Sequence, residues 1–225
     1  MIVHRVNSPL RAASVRRLAS THHDLRLEGR AVRWGAEMDL QAVGGDVLVT
    51  HGRSARHPVT LGDVVADLPP SVLLVLELKP SMSSEGAIAS VLEQVAGYSQ
   101  PIVFASFDHR LLESISLAQE SARTALMTWQ LGQGGSRIFR LGEALLRLTG
   151  VWPAFPTEPL SVSTAAYPWT SATPALAGAL RDRGVDTLCG TVDSPEALAH
   201  VATIPAFGFF TDQPEQLIEY LRQHP

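Results

Sequence analysis

Short apolar segments alternate with longer amphipathic segments along almost the whole chain, and this alternation constrains the fold more than any other feature. The apolar segments are rich in Val, Ile, Leu and Phe, which is typical of strands, and several are apolar throughout. Strands of that kind are covered on both faces, as in a parallel sheet. The predicted strands cover residues 2–5, 36–43, 47–51, 72–79, 102–107, 122–128, 160–166, 186–192 and 207–212.

The segments between the strands predict helices. Apolar residues in segment 84–97 recur every three to four positions, at Ile88, Val91, Leu92 and Val95. Proline stands at the first helical position after Ser194, which indicates a helix start. The predicted helices cover 84–97, 108–120, 138–148, 173–183, 194–202 and 213–222, and the regions 11–34 and 60–68 are also counted as helical.

About eight strand–helix repeats follow from this count, and such repeats predict a parallel sheet built from βαβ units. Eight units in 225 residues predict a single domain that spans residues 1–225 and folds as a small (β/α)8 TIM barrel. The alternative is an open doubly wound sheet. It is disfavoured because the first strand runs into "VNSP", which lacks the glycine turn of a dinucleotide site, and because "QLGQGGSR" at 130–137 lacks the Lys-Ser/Thr of a P-loop.

Composition excludes several classes of function. The formal net charge of −4 gives no basic surface for nucleic acid. A single cysteine, Cys189, excludes an internal disulfide and a cysteine-based zinc site. The longest apolar runs, such as "VLLVL" at 72–76, are too short to cross a membrane, and "MIVHRVNSPLR" lacks a leader pattern, so we expect a cytoplasmic protein without stable membrane insertion.

One predicted strand contains two carboxylates and another ends beside a third, and the active sites of TIM barrels are found at strand ends. Glu37 and Asp39 are two residues apart in "WGAEMDLQAV", and Glu77 lies in "SVLLVLELKP". Residues i and i+2 of a strand point to the same face, and three buried carboxylates repel one another unless a cation lies between them. Oxygen ligands favour Mg²⁺ or Ca²⁺. The alternative for Glu37 and Asp39 is a solvent-facing edge strand.

Basic groups surround these carboxylates in the sequence. Eighteen residues are Lys or Arg, and Lys79 is the only lysine. Lys79 follows Glu77 by two positions and would place a fixed charge beside the ion, or would pair with Glu77 alone. His4 and His51 titrate near neutral pH and are candidates for a general acid and base. Arg5 offers a planar fork for phosphate oxygens, and His57 could border the site.

The ordered set of motifs resembles the glycerophosphodiester phosphodiesterase family across nearly the whole chain. The residues that carry the resemblance are His4-Arg5, the "EMD" of residues 37–39, His51, the "LELK" of 76–79, Ser106-Phe107 and the "TDQP" of 211–214, with "RGVDTLCGTVDSPEAL" similar to the seventh-strand segment. The family pattern implies a TIM barrel that hydrolyses phosphodiesters.

By this resemblance, Glu37, Asp39 and Glu77 would bind a divalent ion and Arg5 and Lys79 would hold the phosphate. His4 and His51 would then form the acid–base pair. The implied reaction cleaves a small glycerophosphodiester into an alcohol and glycerol 3-phosphate, as part of lipid metabolism.

The chain departs from the family pattern around the substrate. Val6 replaces the glycine after His-Arg, Gly52 replaces the Asp after His51, Gly190 replaces a tryptophan, and the Glu-Asn-Thr of the first helix is absent. The short segment after His51 implies a reduced cap. Open alternatives are an impaired barrel that binds a phosphorylated ligand, a phospholipase D-like relative with another diester substrate, and an unrelated barrel aldolase with Lys79 as Schiff base.

Overall fold

Eight parallel strands form a closed barrel in the computed structural model, which describes residues 1–50, 59–66, 68–99, 101–127 and 162–224. In barrel order the strands are β1 (Ile2–Val3), β4 (Gly35–Val43), β6 (Leu73–Leu78), β7 (Ile102–Ser106), β8 (Arg123–Met127), β9 (Thr164–Pro168), β10 (Asp186–Gly190) and β11 (Gly208–Thr211). Strand β1 closes the barrel because Ile2 pairs with Gly35 on one side and Phe210 on the other. The predicted (β/α)8 architecture is confirmed.

Helices follow most of the barrel strands. They are α1 (Pro9–Thr21), α2 (Leu61–Ala66), α3 (Glu85–Val95), α4 (His109–Ala118), α5 (Pro174–Arg181), α6 (Pro195–Ala202) and α7 (Pro214–Gln223). Side-chain oxygens cap the first turn of α1, α3, α4, α5 and α6, the last through Ser194 and the backbone N–H of Ala197. These caps satisfy helix donors that have no intrahelical partner, which explains the sharp strand-to-helix turns.

The region 11–34 is only partly helical, contrary to the prediction. Helix α1 ends at Thr21, and β2 (Arg26–Leu27) and β3 (Arg30–Ala31) form a small antiparallel hairpin. Glu28 and Gly29 at its turn both have positive φ, which breaks the helical path.

The segment after β4 also differs from a simple barrel repeat. Strand β5 (Asp46–Val49) returns antiparallel to β4 through Gly44 and Gly45, both at positive φ. Between β5 and β6, the described residues form only the short helix α2. Residues 51–58 of this segment lie outside the described residues, so the reduced cap stays a prediction.

The remaining predicted elements match closely, apart from boundaries. Strand β9 begins at Thr164, later than predicted. The helix predicted at 138–148 lies outside the described residues, as do His51 and His57. Among the described helices, none has the length and apolar character needed to cross a membrane.

Side chains alternate between the barrel interior and the layer beneath the helices. The interior is filled largely by Ile2, Val75, Val103, Ala105, Ala125, Ala166, Leu188 and Phe210. Val75 points inward, so Glu77 two residues later does too, and the register places Asp39 opposite Glu77. The alternation of side chains along β4 and β6 therefore places these carboxylates inside the barrel, at the carboxyl ends of its strands.

Candidate active site

Glu37, Asp39 and Glu77 form one buried carboxylate cluster at the mouth of the barrel. Their side chains lie on adjacent strands β4 and β6, and each offers an oxygen within 4.8 Å of the others. The residues are 0%, 1% and 4% exposed, respectively. This burial excludes the alternative of a solvent-facing edge strand for Glu37 and Asp39.

Glu37 is the most enclosed member of the cluster. Its Oε2 accepts a 2.7 Å hydrogen bond from the backbone N–H of Arg5, whereas its buried Oε1 has no hydrogen-bond partner among the described residues. Burial, together with the nearby charge of Asp39, raises the pKa of Glu37 well above its usual range. Burial therefore disfavours the charged form of Glu37.

Lys79 supplies positive charge on the other side of the cluster. Its Nζ lies 2.5 Å from Asp39 Oδ1 and also donates to Glu77 Oε1. Burial lowers the pKa of Lys79, but the hydrogen bonds to the two carboxylates outweigh it and leave that pKa raised. The ammonium bridges two carboxylates, so it does not pair with Glu77 alone.

Asn7 holds Asp39 in place from the loop after β1. The Asn7 side-chain amide donates to Asp39 Oδ2 at 2.7 Å, and its Oδ1 accepts from the Asp39 backbone N–H at 3.0 Å. This two-point contact leaves the carboxylate little rotational freedom. Asn7 was not among the candidates from sequence, although its place three residues after His4, beyond the first strand end, was a usable signal.

The cluster fits a hard divalent cation. It offers three carboxylates and, among the described residues, one buried oxygen without a partner and one ammonium to balance three potential negative charges. A buried carboxylate oxygen without a donor is costly, and a cation would satisfy it. All-oxygen donors suit Mg²⁺ or Ca²⁺ better than zinc.

His4 lies beside the cluster at the end of β1. Its Nε2 is 3.7 Å from Glu37 Oε2, and its Nδ1 is 3.1 Å from Asp212 Oδ1. Burial lowers the pKa of His4, and the charge of Asp212 partly offsets this. An imidazole accepts a proton when it is neutral and donates one when it is charged, so His4 has the chemistry of a general acid or base.

Of the remaining predicted site residues, one is exposed and one lies outside the described residues. Arg5 is exposed, and its backbone adopts a left-handed φ of 55° that directs its N–H to Glu37. Its proposed contact with phosphate remains a prediction. His51 lies outside the described residues. The structure thus brings together His4, Glu37, Asp39, Glu77 and Lys79.

Two departures from the family pattern have visible packing explanations. A Cβ added to Gly190 would lie 2.9 Å from the Phe210 ring, so the aromatic side chain of β11 already fills the space beside this position. Val6 is fully buried, and its backbone N–H donates to the Glu37 carbonyl at 2.7 Å.

Comparisons with known proteins find the same fold at low sequence identity. No family model and no curated protein matches the chain. Solved structures do match. A putative glycerophosphoryl diester phosphodiesterase from Silicibacter pomeroyi has a TM-score of 0.70 at 20% identity over 99% of this chain and 92% of its own.

Two further structures give similar values. A phosphodiesterase from Oleispira antarctica in complex with the product sn-glycerol-3-phosphate has a TM-score of 0.69 at 15% identity, over 99% of this chain and 96% of its own. A putative glycerophosphoryl diester phosphodiesterase from Agrobacterium tumefaciens has a TM-score of 0.71 at 17% identity, over 99% of this chain and 97% of its own. The chain therefore shares its fold with proteins that bear the name of the family its motifs resemble.

Proposed function

We propose that the protein is a metal-dependent phosphoric diester hydrolase that cleaves glycerophosphodiesters into an alcohol and glycerol 3-phosphate. The observation that carries the proposal is the buried Glu37–Asp39–Glu77 cluster at the mouth of this barrel, where Glu37 Oε1 has no partner in the part of the chain that the structure describes. The fold shared with the solved phosphodiesterases supports the choice of diester chemistry.

Glu37, Asp39 and Glu77 would hold Mg²⁺ or Ca²⁺, which when bound would neutralise charge on the phosphoryl oxygens. Asn7 and the Arg5 backbone N–H keep two of these carboxylates oriented. The carboxylates are held in this way before substrate arrives, which is the condition for electrostatic preorganisation.

Two cationic side chains are proposed to bind the phosphate. Lysine has three N–H donors, and Lys79 uses two of them on Asp39 and Glu77, so the third can donate to a phosphoryl oxygen. The Arg5 guanidinium, on the exposed loop beside His4, offers a bidentate fork to the other oxygens.

Proton transfer is assigned to His4 and His51. Water attacks phosphorus, so a new bond forms between phosphorus and the water oxygen while the bond between phosphorus and the alcohol oxygen breaks. The attacking water loses a proton and the departing alcohol oxygen gains one. The imidazole Nε2 of His4 faces the carboxylate cluster and serves one of these transfers. His51 serves the other in this proposal.

A direct assay tests the proposal. Purified protein is incubated with a panel of glycerophosphodiesters and Mg²⁺ or Ca²⁺, and released glycerol 3-phosphate is measured with and without chelator. We expect turnover that chelator abolishes and that Asp39→Asn lowers by at least about 100-fold. The control is Asp46→Asn, the same change at an exposed position in the adjacent hairpin. Full activity of Asp39→Asn contradicts the proposal.

One contact favours a second candidate, a barrel that binds a phosphorylated ligand without turnover. The Lys79 ammonium already satisfies Asp39 and Glu77 without an ion. Under this alternative, glycerol 3-phosphate binds in the presence of chelator and binding survives His4→Ala. Calorimetric titration of wild-type and variant protein separates the two candidates.

A further inference from the structure

A row of hydrogen bonds connects His4 to the end of β11 and to the loop after β10. His4 Nδ1 lies 3.1 Å from Asp212 Oδ1. The backbone N–H of Asp212 in turn donates to Asp193 Oδ1 at 2.7 Å. Asp193 and Asp212 belong to neither the carboxylate cluster nor any proposed phosphate contact.

The contact between His4 and Asp212 has one chemical direction. An ionised carboxylate only accepts hydrogen bonds, so the neutral imidazole carries its hydrogen on Nδ1 and its lone pair on Nε2. That lone pair belongs to the atom 3.7 Å from Glu37 Oε2. The same arrangement of carboxylate and imidazole sets ring orientation in many hydrolytic sites.

Asp193 anchors the backbone that carries Asp212. One oxygen, Asp193 Oδ1, accepts from both the Asp212 N–H and the Thr211 hydroxyl at 3.1 Å. The Thr211 hydroxyl oxygen also accepts from the Gln213 N–H at 3.0 Å. These bonds hold the strand end in a defined turn before α7 begins.

Strand pairing sets the distance across this contact. The His4 backbone N–H donates to the Thr211 carbonyl at 2.9 Å, so the two residues sit on neighbouring strand ends. The Phe210 ring meets the imidazole edge-on, with centroids 6.3 Å apart. The ring of His4 is therefore held by one hydrogen bond, one aromatic contact and the paired backbone.

We propose that Asp212, anchored by Asp193, is a positioning residue that holds His4 in the Nδ1–H tautomer with Nε2 directed toward the carboxylate cluster. The proposal deepens the proposed function, because it rests on His4 transferring a proton during diester cleavage. In this proposal Asp212 acts through His4, with which its side chain is paired, and is assigned no role as a metal ligand.

Nuclear magnetic resonance of protein with ¹⁵N-labelled histidine tests the tautomer directly. Spectra are recorded near pH 8, where imidazoles are mostly neutral, and the His4 signal is assigned by its loss in His4→Gln. We expect the Nδ1–H tautomer in wild type, a mixture in Asp212→Ala, and recovery in Asp212→Asn, whose amide oxygen can still accept. A wild-type Nε2–H tautomer, or no change in Asp212→Ala, overturns the proposal.

Kinetics provide the second readout. We expect Asp212→Ala to lower kcat about 10- to 100-fold while KM and the metal dissociation constant stay within about twofold, and Asp193→Ala to have a smaller effect in the same direction. Asp46→Ala is the control. A wild-type kcat in Asp212→Ala overturns the proposal. If wild type shows no diesterase activity, the proposed function fails, and the tautomer spectra alone then decide the His4–Asp212 contact.

Discussion

Lys79 balances part of the negative charge of the carboxylates at the mouth of the barrel. Seventeen of the eighteen basic residues are arginine, yet a lysine stands between Asp39 and Glu77. An ammonium is compact and can approach two carboxylates at once, whereas a guanidinium is a larger planar fork. The requirement for a small cation at this position is a physical reason for the exception to the arginine bias.

Replacing Lys79 by Met tests this role. Asp39 and Glu77 lose their counter-charge, so we expect the metal-free protein to lose about 1–3 kcal/mol of unfolding free energy, the lower end reflecting partial exposure of Lys79. Added Ca²⁺ or Mg²⁺ should then raise the Tm of the variant more than that of wild type. Thermal melts with chelator and with metal measure both effects. Lys79→Arg keeps the charge but not the compact shape, so we expect a metal-free Tm between those of Lys79→Met and wild type. An unchanged metal-free Tm in Lys79→Met contradicts the role assigned to Lys79.

Asn7 provides a second prediction at the residue scale. Asn7→Ala removes both contacts to Asp39, so we expect divalent-ion affinity to fall about tenfold because the carboxylate is no longer oriented. Calorimetric titration with Ca²⁺ or Mg²⁺ gives the dissociation constant. Gln94→Ala, an amide deletion on the exposed face of α3, is the matched control. Equal affinity in Asn7→Ala and wild type would show that Asn7 does not organise the site.

At the scale of elements, side chains along β4 and β6 alternate between the two faces of the sheet. The same alternation fills the barrel interior and places the carboxylates of the site. Val75 packs inside the barrel, and Glu77 follows on the same face. The same alternation on β10 brings Gly190 to a position where only a hydrogen fits beside Phe210. Glycine and phenylalanine on adjacent strands thus share one interior volume.

Gly190→Ala tests that packing. The added Cβ would lie 2.9 Å from the Phe210 ring, so we expect a loss of about 1–3 kcal/mol in unfolding free energy, measured by urea denaturation. The matched control is Gly178→Ala in α5, where no atom lies within 4 Å of the new Cβ. There alanine should stabilise by about 0.5–1 kcal/mol. Equal stability of the two variants would refute the packing explanation.

At the scale of the whole molecule, the layer between the barrel and its helices encloses the one thiol. Cys189 is fully buried on β10, and burial raises the pKa of its thiol to about 12. A protonated and inaccessible thiol is unreactive. Reaction of the Cys189 thiol with a reagent therefore measures how often this part of the structure opens.

We expect Cys189 to resist a disulfide reagent such as DTNB at pH 8 in the native state and to react with one equivalent in denaturant. The labelling rate should follow urea-induced unfolding, because the thiol becomes accessible only when β10 leaves the barrel. The labelling rate is measured from the absorbance of the thiolate that the reagent releases. Rapid stoichiometric labelling in native buffer would show that β10 opens locally.

Much of the site could be predicted from sequence because strand ends carry it. The alternation of elements indicates a barrel, and the i, i+2 spacing puts Glu37 and Asp39 on one face. The β2–β3 hairpin was missed because a short hairpin turn carries little periodic signal. Asp212 appeared only within the "TDQP" motif at the end of the last predicted strand, and nothing in its local sequence indicates His4, which is 208 positions away.

The sequence by itself determined the (β/α)8 architecture and which carboxylates meet, because both depend on local periodicity and on where strands end. The tertiary structure alone decided how each site group is partnered. It placed the Lys79 ammonium between two carboxylates, gave Glu37 Oε1 no donor from the described residues, and connected His4 to Asp212 across the closing strand pair. The Lys79 contacts depend on the pairing of β4 with β6, and the contact between His4 and Asp212 depends on barrel closure, which places β1 beside β11. Closure is a property of the whole fold, so no local segment of sequence reveals it.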